Sequence, residues 1–427
     1  MMKLAIKTLG CRLNQAESAT LSGIMRDRGW DIVPFGDQAD AVLVHSCTIT
    51  EKALKKTIRF CRSSKKKNPG APVILAGCAV QVAGASLRAE SRADILLDQS
   101  DKWNIAEAVI RHMSQDTSIN APLTRATKSL PAPEFTTTRA PIKVQDGCDF
   151  HCSYCIVPKT RGRSLSRNPE EIIEEIDNLC RNGFKEVILT GANLGCYLHN
   201  KTGLVELLEK IENSTGIQRI RLSSIEPTTA EDDVIEFMAT SRKLCRSLHV
   251  PLQSGDNRIL KKMGRRYTRE QYITFIRLAV NTVENLGLGT DIIAGFPTET
   301  GSEFQNTLKL VDEAPFSNIH AFSYSKRPGT AAASLPDKPG GSEISKRVDL
   351  LREKHEQKRQ IFAETLIGKD CRVLIEKIES GFAKGWTSEY LPAIFPAGNA
   401  KINDIITFRP HTAEKGTLKG GPDKNSF

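Results

Sequence analysis

The chain has no long hydrophobic run. Its longest apolar stretches, such as "PVILAG", are far too short to span a bilayer, so no membrane partner is expected. The first fifteen residues, "MMKLAIKTLGCRLNQ", lack a secretory cleavage pattern and turn polar at once, which makes the cytoplasm the expected location. There is no internal repeat and no long low-complexity tract. Nothing in the sequence arranges itself as a Ser-His-Asp set or a pair of carboxylates, so acid–base hydrolysis is not the expected chemistry. What the chain does have is 427 residues, enough for two or three domains, and eleven cysteines. Cysteines in a large chain without an export signal argue for metal or redox chemistry over a disulfide framework. The 60 Lys and Arg outnumber 50 Asp and Glu, a net charge of +10 that favours an acidic partner, nucleic acid being the commonest.

Three cysteines near the N-terminus share one placement. "KLAIKT" (3–8), "DAVLVHSC" (40–47) and "APVILAGC" (71–78) each read as a short buried strand, followed by a turn with cysteine and then a helix. The pattern predicts a parallel sheet with strands at 3–8, 41–44, 73–75 and 93–98. Strand C-termini in such a sheet lie along one edge, so Cys11, Cys47 and Cys78 are expected to meet there although they are far apart in sequence. Each follows a small residue, Gly10, Ser46 or Gly77, which admits a bulky ligand. The helix over 51–67 carries Lys52, Lys55, Lys56, Arg59, Arg62, Lys65, Lys66 and Lys67 against Glu51 alone. A phosphate-backbone contact is the expectation for it.

The segments 1–114, 115–138, 139–366 and 367–427 are read as an N-terminal domain, a linker, a barrel and a small C-terminal β domain with a tail. In the third, strands at 142–145, 186–189, 220–223, 247–250, 290–293 and 319–322 alternate with helices. That is an incomplete cousin of the eight-fold barrel, with its site at the strand C-terminal face. Just past the first of these strands stands "QDGCDFHCSYCIVPKTRGR", with Cys148, Cys152 and Cys155 spaced C-x3-C-x2-C. Zinc is one reading, with His151 or a distant cysteine as fourth ligand. An iron–sulfur cluster with three protein thiolates is the other, and it leaves one iron open to a small molecule.

"GCDFHCSYC" resembles the cluster loop of radical S-adenosylmethionine enzymes. "TLGCRLNQAES", "HSCTIT" and "AGCAVQ" resemble the three cysteine motifs of the methylthiotransferase family within that group. "LTGANLG", "SSIEP", "HVPLQSG", "TDIIAGFPTET" and "SYSKRPGTAAA" are similar to its barrel motifs in their usual order. The resemblance implies an α/β fold: a Rossmann- or flavodoxin-like N-terminal sheet, a partial (β/α)6 TIM-like barrel and a TRAM-like RNA-binding β-barrel. It implies two 4Fe–4S clusters and S-adenosyl-L-methionine as cofactors. Cys148, Cys152 and Cys155 then bind the cluster that splits S-adenosylmethionine into a 5′-deoxyadenosyl radical. Cys11, Cys47 and Cys78 bind an auxiliary cluster that supplies or carries the sulfur.

Thr190, Gly191 and Asn193 in "LTGANLG", with Glu226, Gln253 and Asp291 at later strand ends, are the expected contacts to S-adenosylmethionine. Each is equally readable as a rim residue hydrogen-bonded within the protein. Arg161, Arg163, Arg167, Lys261, Lys262, Arg265 and Arg266 are expected to face nucleic acid, and Cys196 lies near the active face outside either motif. The tail "EKGTLKGGPDKNSF" is expected to be disordered.

Members of the family act on threonylcarbamoyladenosine of tRNA, on isopentenyladenosine of tRNA, or on an aspartate of a ribosomal protein. The motifs "TLGCRLNQAES" and "SCTIT" look most like the first branch. The implied partners are the tRNA anticodon loop, not DNA, and an electron donor such as flavodoxin or ferredoxin. A non-catalytic zinc- or cluster-stabilised RNA-binding protein is the alternative of a different class.

Overall fold

A computed structural model describes residues 1–84, 86–114, 137–229, 232–336 and 339–422. The linker expected over 115–138 lies outside the described residues except for its last two. The N-terminal sheet is wholly parallel: β1 (Lys3–Thr8), β2 (Asp31–Val33), β3 (Ala41–Ser46), β4 (Val73–Gly77) and β5 (Ile95–Leu97), in the order β2-β1-β3-β4-β5. Its central strands, "AVLVHS" and "VILAG", are buried at every residue, as a sheet covered on both faces requires. Leu43 and Ile74 pack on one side with Leu21 and Met25 of helix α1 (Arg12–Asp27). Val42, Val44 and Leu75 pack on the other with Cys61 of helix α2 (Glu51–Lys67). Cys61 is thus a core side chain, fully buried.

Six parallel strands follow: β6 (Arg139–Lys143), β7 (Glu186–Thr190), β8 (Arg219–Leu222), β9 (Ser247–His249), β10 (Gly287–Ala294) and β11 (Asn318–Ser323). They form two three-stranded sheets, β6-β7-β8 and β9-β10-β11, joined by parallel bridges at Ile220–Leu244 and Ser224–His249. Helices Pro169–Arg181, Leu204–Ser214, Arg269–Thr282 and Gly301–Glu313 wrap the outside and bury their apolar stripes against the strands. The result is the open, six-unit barrel expected, with the first strand beginning three residues earlier than its pattern suggested.

A 24-residue helix, Gly341–Glu364, leads to a closed β-barrel. Its strands are β12 (Cys371–Glu379), β13 (Phe382–Thr387), β14 (Pro392–Pro396), β15 (Ile405–Glu414) and β16 (Thr417–Pro422), paired β12-β13-β14-β16-β15. Here the structure corrects an expectation. The chain from Thr417 to Pro422 is not a disordered tail but a hairpin partner of β15, and it also closes the barrel against β14; the last five residues of the expected tail lie outside the described residues. Leu418 is the reason: it is fully buried, opposite Ala393, in the small core that includes the stacked rings of Phe395 and Phe408.

The small barrel docks at the N-terminal ends of the core strands. Arg219 and Arg221, both nearly inaccessible, share the buried carboxylate of Glu186 and donate to the carbonyls of Arg372, Trp386, Thr387 and Ser388. At Gly287 a Cβ would stand 1.9 Å from the Glu389 carbonyl oxygen, so only glycine fits under that loop. The strand C-terminal ends are left to the N-terminal domain and the cysteines.

Candidate functional site

The loop after β6 is held open by one side chain. Gln145, fully buried, donates from Nε2 to the Gly147 carbonyl (2.7 Å) and to Ser164 Oγ (2.9 Å), while its Oε1 accepts from the Asn193 amide (3.0 Å). The Cys148 amide then donates to the Gly162 carbonyl and the Cys155 amide to that of Cys152, which folds the three thiols onto one loop. Each sulfur meets one N–H at 3.4 Å: Phe150 N to Cys148, Arg265 Nη1 to Cys152 and Val157 N to Cys155. One donor per sulfur suits thiolates that hold a cluster, whose potential such bonds tune. Burial pushes the Cys155 thiol up to about 12, and the neighbouring Cys152 and Cys148 add to it. A metal bound by all three would relieve that repulsion, since its positive charge offsets the thiolates left when the ligands lose their protons.

The second set assembles as the strand ends dictate. Cys11 caps α1, Cys47 follows β3, and Cys78 opens the short helix after β4. Asn14, fully buried, ties the first two loops together, donating from Nδ2 to the carbonyls of Leu9 and Ser46 at 2.8 Å each. Gly10 has φ +98°, and a Cβ there would lie 2.6 Å from the Cys47 Cβ; this approach is open to glycine alone. Burial pushes the Cys47 thiol up to about 11, with Cys11 and Cys78 adding to the shift. Gln99 Nε2 donates to Cys78 Sγ at 3.0 Å.

Arg161 joins the two sets. It ends the short helix that begins two residues after Cys155, yet its side chain is only 3% exposed. Both of its terminal nitrogens meet Glu17 at 3.1 Å; Nη2 also donates to Asn14 Oδ1 (2.6 Å) and Nη1 to Asp146 Oδ1 (2.9 Å). Glu17, fully buried, takes Lys102 (2.7 Å) and Lys143 (3.0 Å) as well. Its carboxyl is held far below the usual range, those cations outweighing the burial that would raise it. Three cations face two carboxylates, so one positive charge is left over beside Cys47 and Cys78, whose thiolates it favours. His45, 3.6 Å from Glu17, is neutral there, burial pushing it down to about 3.

Residues 142–311 match the Radical SAM superfamily, and residues 3–98 match Uncharacterized protein family UPF0004. Threonylcarbamoyladenosine tRNA methylthiotransferase MtaB of Bacillus subtilis is 31% identical over 95% of this chain and 93% of its own length. The tRNA-2-methylthio-N(6)-dimethylallyladenosine synthase of Clostridium novyi is 33% identical over 87% and 85%. This chain belongs to the radical SAM methylthiotransferase family. Among solved structures, radical S-adenosylmethionine methyltransferase TsrM from Kitasatospora setae, with cobalamin and a 4Fe–4S cluster bound, covers 78% of the chain and 77% of its own. Its TM-score is 0.59 and its identity 14%, a likeness of fold. Membership makes the chain an enzyme and implies a 4Fe–4S cluster and S-adenosylmethionine in the core. Three half-buried thiols with three N–H donors fit such a cluster.

The methylthiotransferase's other expected residues line the same face. Thr190 and Asn193 are buried, and Gly191 is pressed so close to Gln145 that a Cβ would stand 2.7 Å from its Oε1. Asn193 Nδ2 is buried with no hydrogen-bond partner, an unspent donor beside the loop. Gln253 holds φ +67° and gives its amide to the Asp291 carbonyl. Glu226 is ion-paired with Arg265, the residue that reaches Cys152, and Asp291 is flanked by His249 and His320. Cys196 lies close to Cys148, its thiol pushed up to about 11 by burial first and by Cys148 next, while His151 is exposed.

Several basic residues expected to face nucleic acid are spent inside the protein. Besides Arg161, Arg265 is 2% exposed against Glu226, and Arg167 pairs with Glu175 at 2.7 Å. Lys262 donates to Thr298, whereas Arg266, lying over the Phe150 ring, stays exposed, as do Arg163 and Lys261. On α2, Lys55 pairs with Glu51, Lys65 with Asp94, and Arg62 bonds the Glu90 carbonyl; Lys52, Lys56, Arg59, Lys66 and Lys67 stay exposed. The sequence reading missed Asn14, Glu17, Gln99 and Lys102. Asn14 and Glu17 carried a signal, since they share the α1 face of Leu13, Leu21 and Met25, where a polar residue calls for a buried partner.

Proposed function

We propose that this methylthiotransferase acts on tRNA and places a methylthio group on C2 of N6-threonylcarbamoyladenosine 3′ to the anticodon. Cys148, Cys152 and Cys155 hold the cluster that works with S-adenosylmethionine, and Cys11, Cys47 and Cys78 hold an auxiliary one. When bound, these groups supply one-electron chemistry at a C–H bond that gives no side chain an acid–base foothold. The chain's own residues do the rest. Arg265 bonds Cys152 and neutralises Glu226; Arg161 and Glu17 lock the two cysteine loops into one geometry; Gln145 holds the rim loop where Thr190, Gly191 and Asn193 meet the cofactor.

The observation that carries this reading is the pair of three-thiol sets joined through Arg161, Asn14 and Glu17. The exposed Lys52, Lys56, Arg59, Lys66 and Lys67 support a nucleic-acid substrate, and the small C-terminal barrel is taken as a second RNA contact. Relatives named for both adenosine derivatives match with similar identity, so the branch rests on "TLGCRLNQAES" and "SCTIT". A reduced flavodoxin or ferredoxin in the cytoplasm is the proposed electron donor. Mass spectrometry of tRNA nucleosides from cells with and without the gene tests the proposal. The 2-methylthio derivative of threonylcarbamoyladenosine is expected to vanish as its precursor accumulates. Loss of the methylthiolated dimethylallyl nucleoside instead would move the enzyme to the other tRNA branch. Unchanged nucleosides would contradict a tRNA substrate.

A further inference from the structure

The last three core strands bring together a cluster that neither cysteine set uses. His249 Nε2 lies 3.2 Å and His320 Nδ1 3.3 Å from the same oxygen, Asp291 Oδ1, and the two rings stack at 5.3 Å. Asp291 and His320 are cross-strand partners on β10 and β11. Gly289 makes room, since a Cβ there would stand 2.7 Å from His249 Nδ1. Burial alone would raise the Asp291 carboxyl, but the two imidazole hydrogen bonds outweigh it and hold the group ionised. No donor among the described residues hydrogen-bonds its Oδ2, and the side chain keeps 24% exposure. Phe322, 45% exposed, stands edge-on to His320 beside it.

The cluster's neighbours lead toward both thiol sets. Toward the core cysteines, Asp291 and His249 interact electrostatically with Glu226, whose partner Arg265 reaches Cys152. Toward the auxiliary cysteines, the chain after β11 continues to Ser325, which accepts from the Glu51 amide, and to Arg327, which donates to Thr48 Oγ1 next to Cys47.

We propose that Asp291, oriented by His249 and His320, serves the substrate in place of the cofactor contact expected of it from the sequence: it is the subsite that receives the N6 substituent of the target adenosine and selects one rich in hydrogen-bond donors. The inference rests on the substrate reading above. A threonylcarbamoyl group brings urea N–H groups and a hydroxyl to the open Oδ2. Its carboxylate extends to the exposed side of the cluster, where the Asn318 amide sits 3.2 Å from His320 Nε2. A dimethylallyl group brings no donor beyond N6–H, and would strip water from an ionised carboxylate without replacing it. A site built around a polar partner rejects the analogue that lacks it far more strongly than an apolar pocket discriminates by size.

The test uses the full-length, cluster-loaded enzyme and two anticodon stem-loops, one with threonylcarbamoyladenosine and one with dimethylallyladenosine. Affinity is measured by fluorescence anisotropy for the natural enzyme and for Asp291→Asn, Asp291→Leu and His320→Phe. Iron content and thermal melting check that each variant folds, and half-exposed His320 offers a substitution that spares the core. The natural enzyme should prefer the threonylcarbamoyl stem-loop. Asp291→Leu and His320→Phe should each reduce that preference by about tenfold or more. A preference that survives all three substitutions would overturn the subsite and leave the substrate reading intact. A natural preference for the dimethylallyl stem-loop would overturn the substrate reading and the subsite with it. A zinc or iron ion beyond the cluster complement that is lost in Asp291→Asn would overturn it in favour of a metal site.

Discussion

Glu17 shows how much of the site depends on a residue that touches no substrate. Its carboxylate is fully buried and meets Lys102, 1% exposed, and Arg161, 3% exposed. Replacing it with Gln keeps the shape and removes the charge, leaving buried Lys102 without a carboxylate and Arg161 with Asp146 alone. The expected loss is about 3–5 kcal/mol of stability, read by urea denaturation of the anaerobic protein. Cys196 supplies the opposite case. It is a fourth thiol beside Cys148, but it belongs to neither set, so Cys196→Ser should keep the iron content that Cys148→Ser reduces, as quantified by iron assay. All six cysteines of the two thiol sets were legible in the sequence, three from tight spacing and three from their shared place after a strand. The arginines were not. Arg161 and Arg265 read as surface charge because sequence records a charge without its partner, and Glu17 and Glu226 lie 144 and 39 residues away.

At the scale of the element, α2 divides into a spent side and an open one. Lys55, Lys65 and Arg62 hold the helix to its own domain, whereas Lys52, Lys56 and Lys66 meet solvent. Changing Lys52, Lys56 and Lys66 together to Glu should weaken tRNA binding. In an anisotropy titration against salt concentration, the salt slope should fall by roughly one for each phosphate that is no longer neutralised. The variant's thermal melting should stay close to that of the natural protein, because none of the three is paired to the core. The helix Gly301–Glu313 carries a capping box, with Thr300 Oγ1 accepting from the Glu303 amide and Glu303 bonding back to the Thr300 amide. Thr300→Ala should cost about 1 kcal/mol by chemical denaturation. Glu303 is pulled down to about 2, first by its bond to Arg258. Its contribution is therefore present above the unfolded carboxyl range and fades as the pH falls toward about 2. The stability difference between the natural protein and Glu303→Gln should follow that course. Most strands and helices of the first two units were legible because they are apolar and regularly patterned, but the edge strand β2 (Asp31–Val33) was not, being only three residues long. The segment from Thr417 to Pro422 was not, since Gly, Lys and Pro read as tail until Leu418 finds the core of a closed barrel.

At the scale of the molecule, three units divide the two ends of one open barrel. The small β-barrel seals the N-terminal ends of the core strands through Arg219 and Arg221. The N-terminal sheet approaches the other end, where both thiol sets and the buried ions between them lie. No helix among the described residues is long and apolar enough to cross a membrane. Iron content together with cofactor cleavage in the Cys11, Cys47 and Cys78 triple Ala variant tests the two-site claim most directly. Reconstituted without oxygen, the natural protein should hold about eight irons per chain, and the variant about four. The variant should still cleave S-adenosylmethionine to 5′-deoxyadenosine while forming no methylthiolated product. A variant that keeps all its iron, or loses cofactor cleavage along with product, would contradict two separate three-thiolate sites.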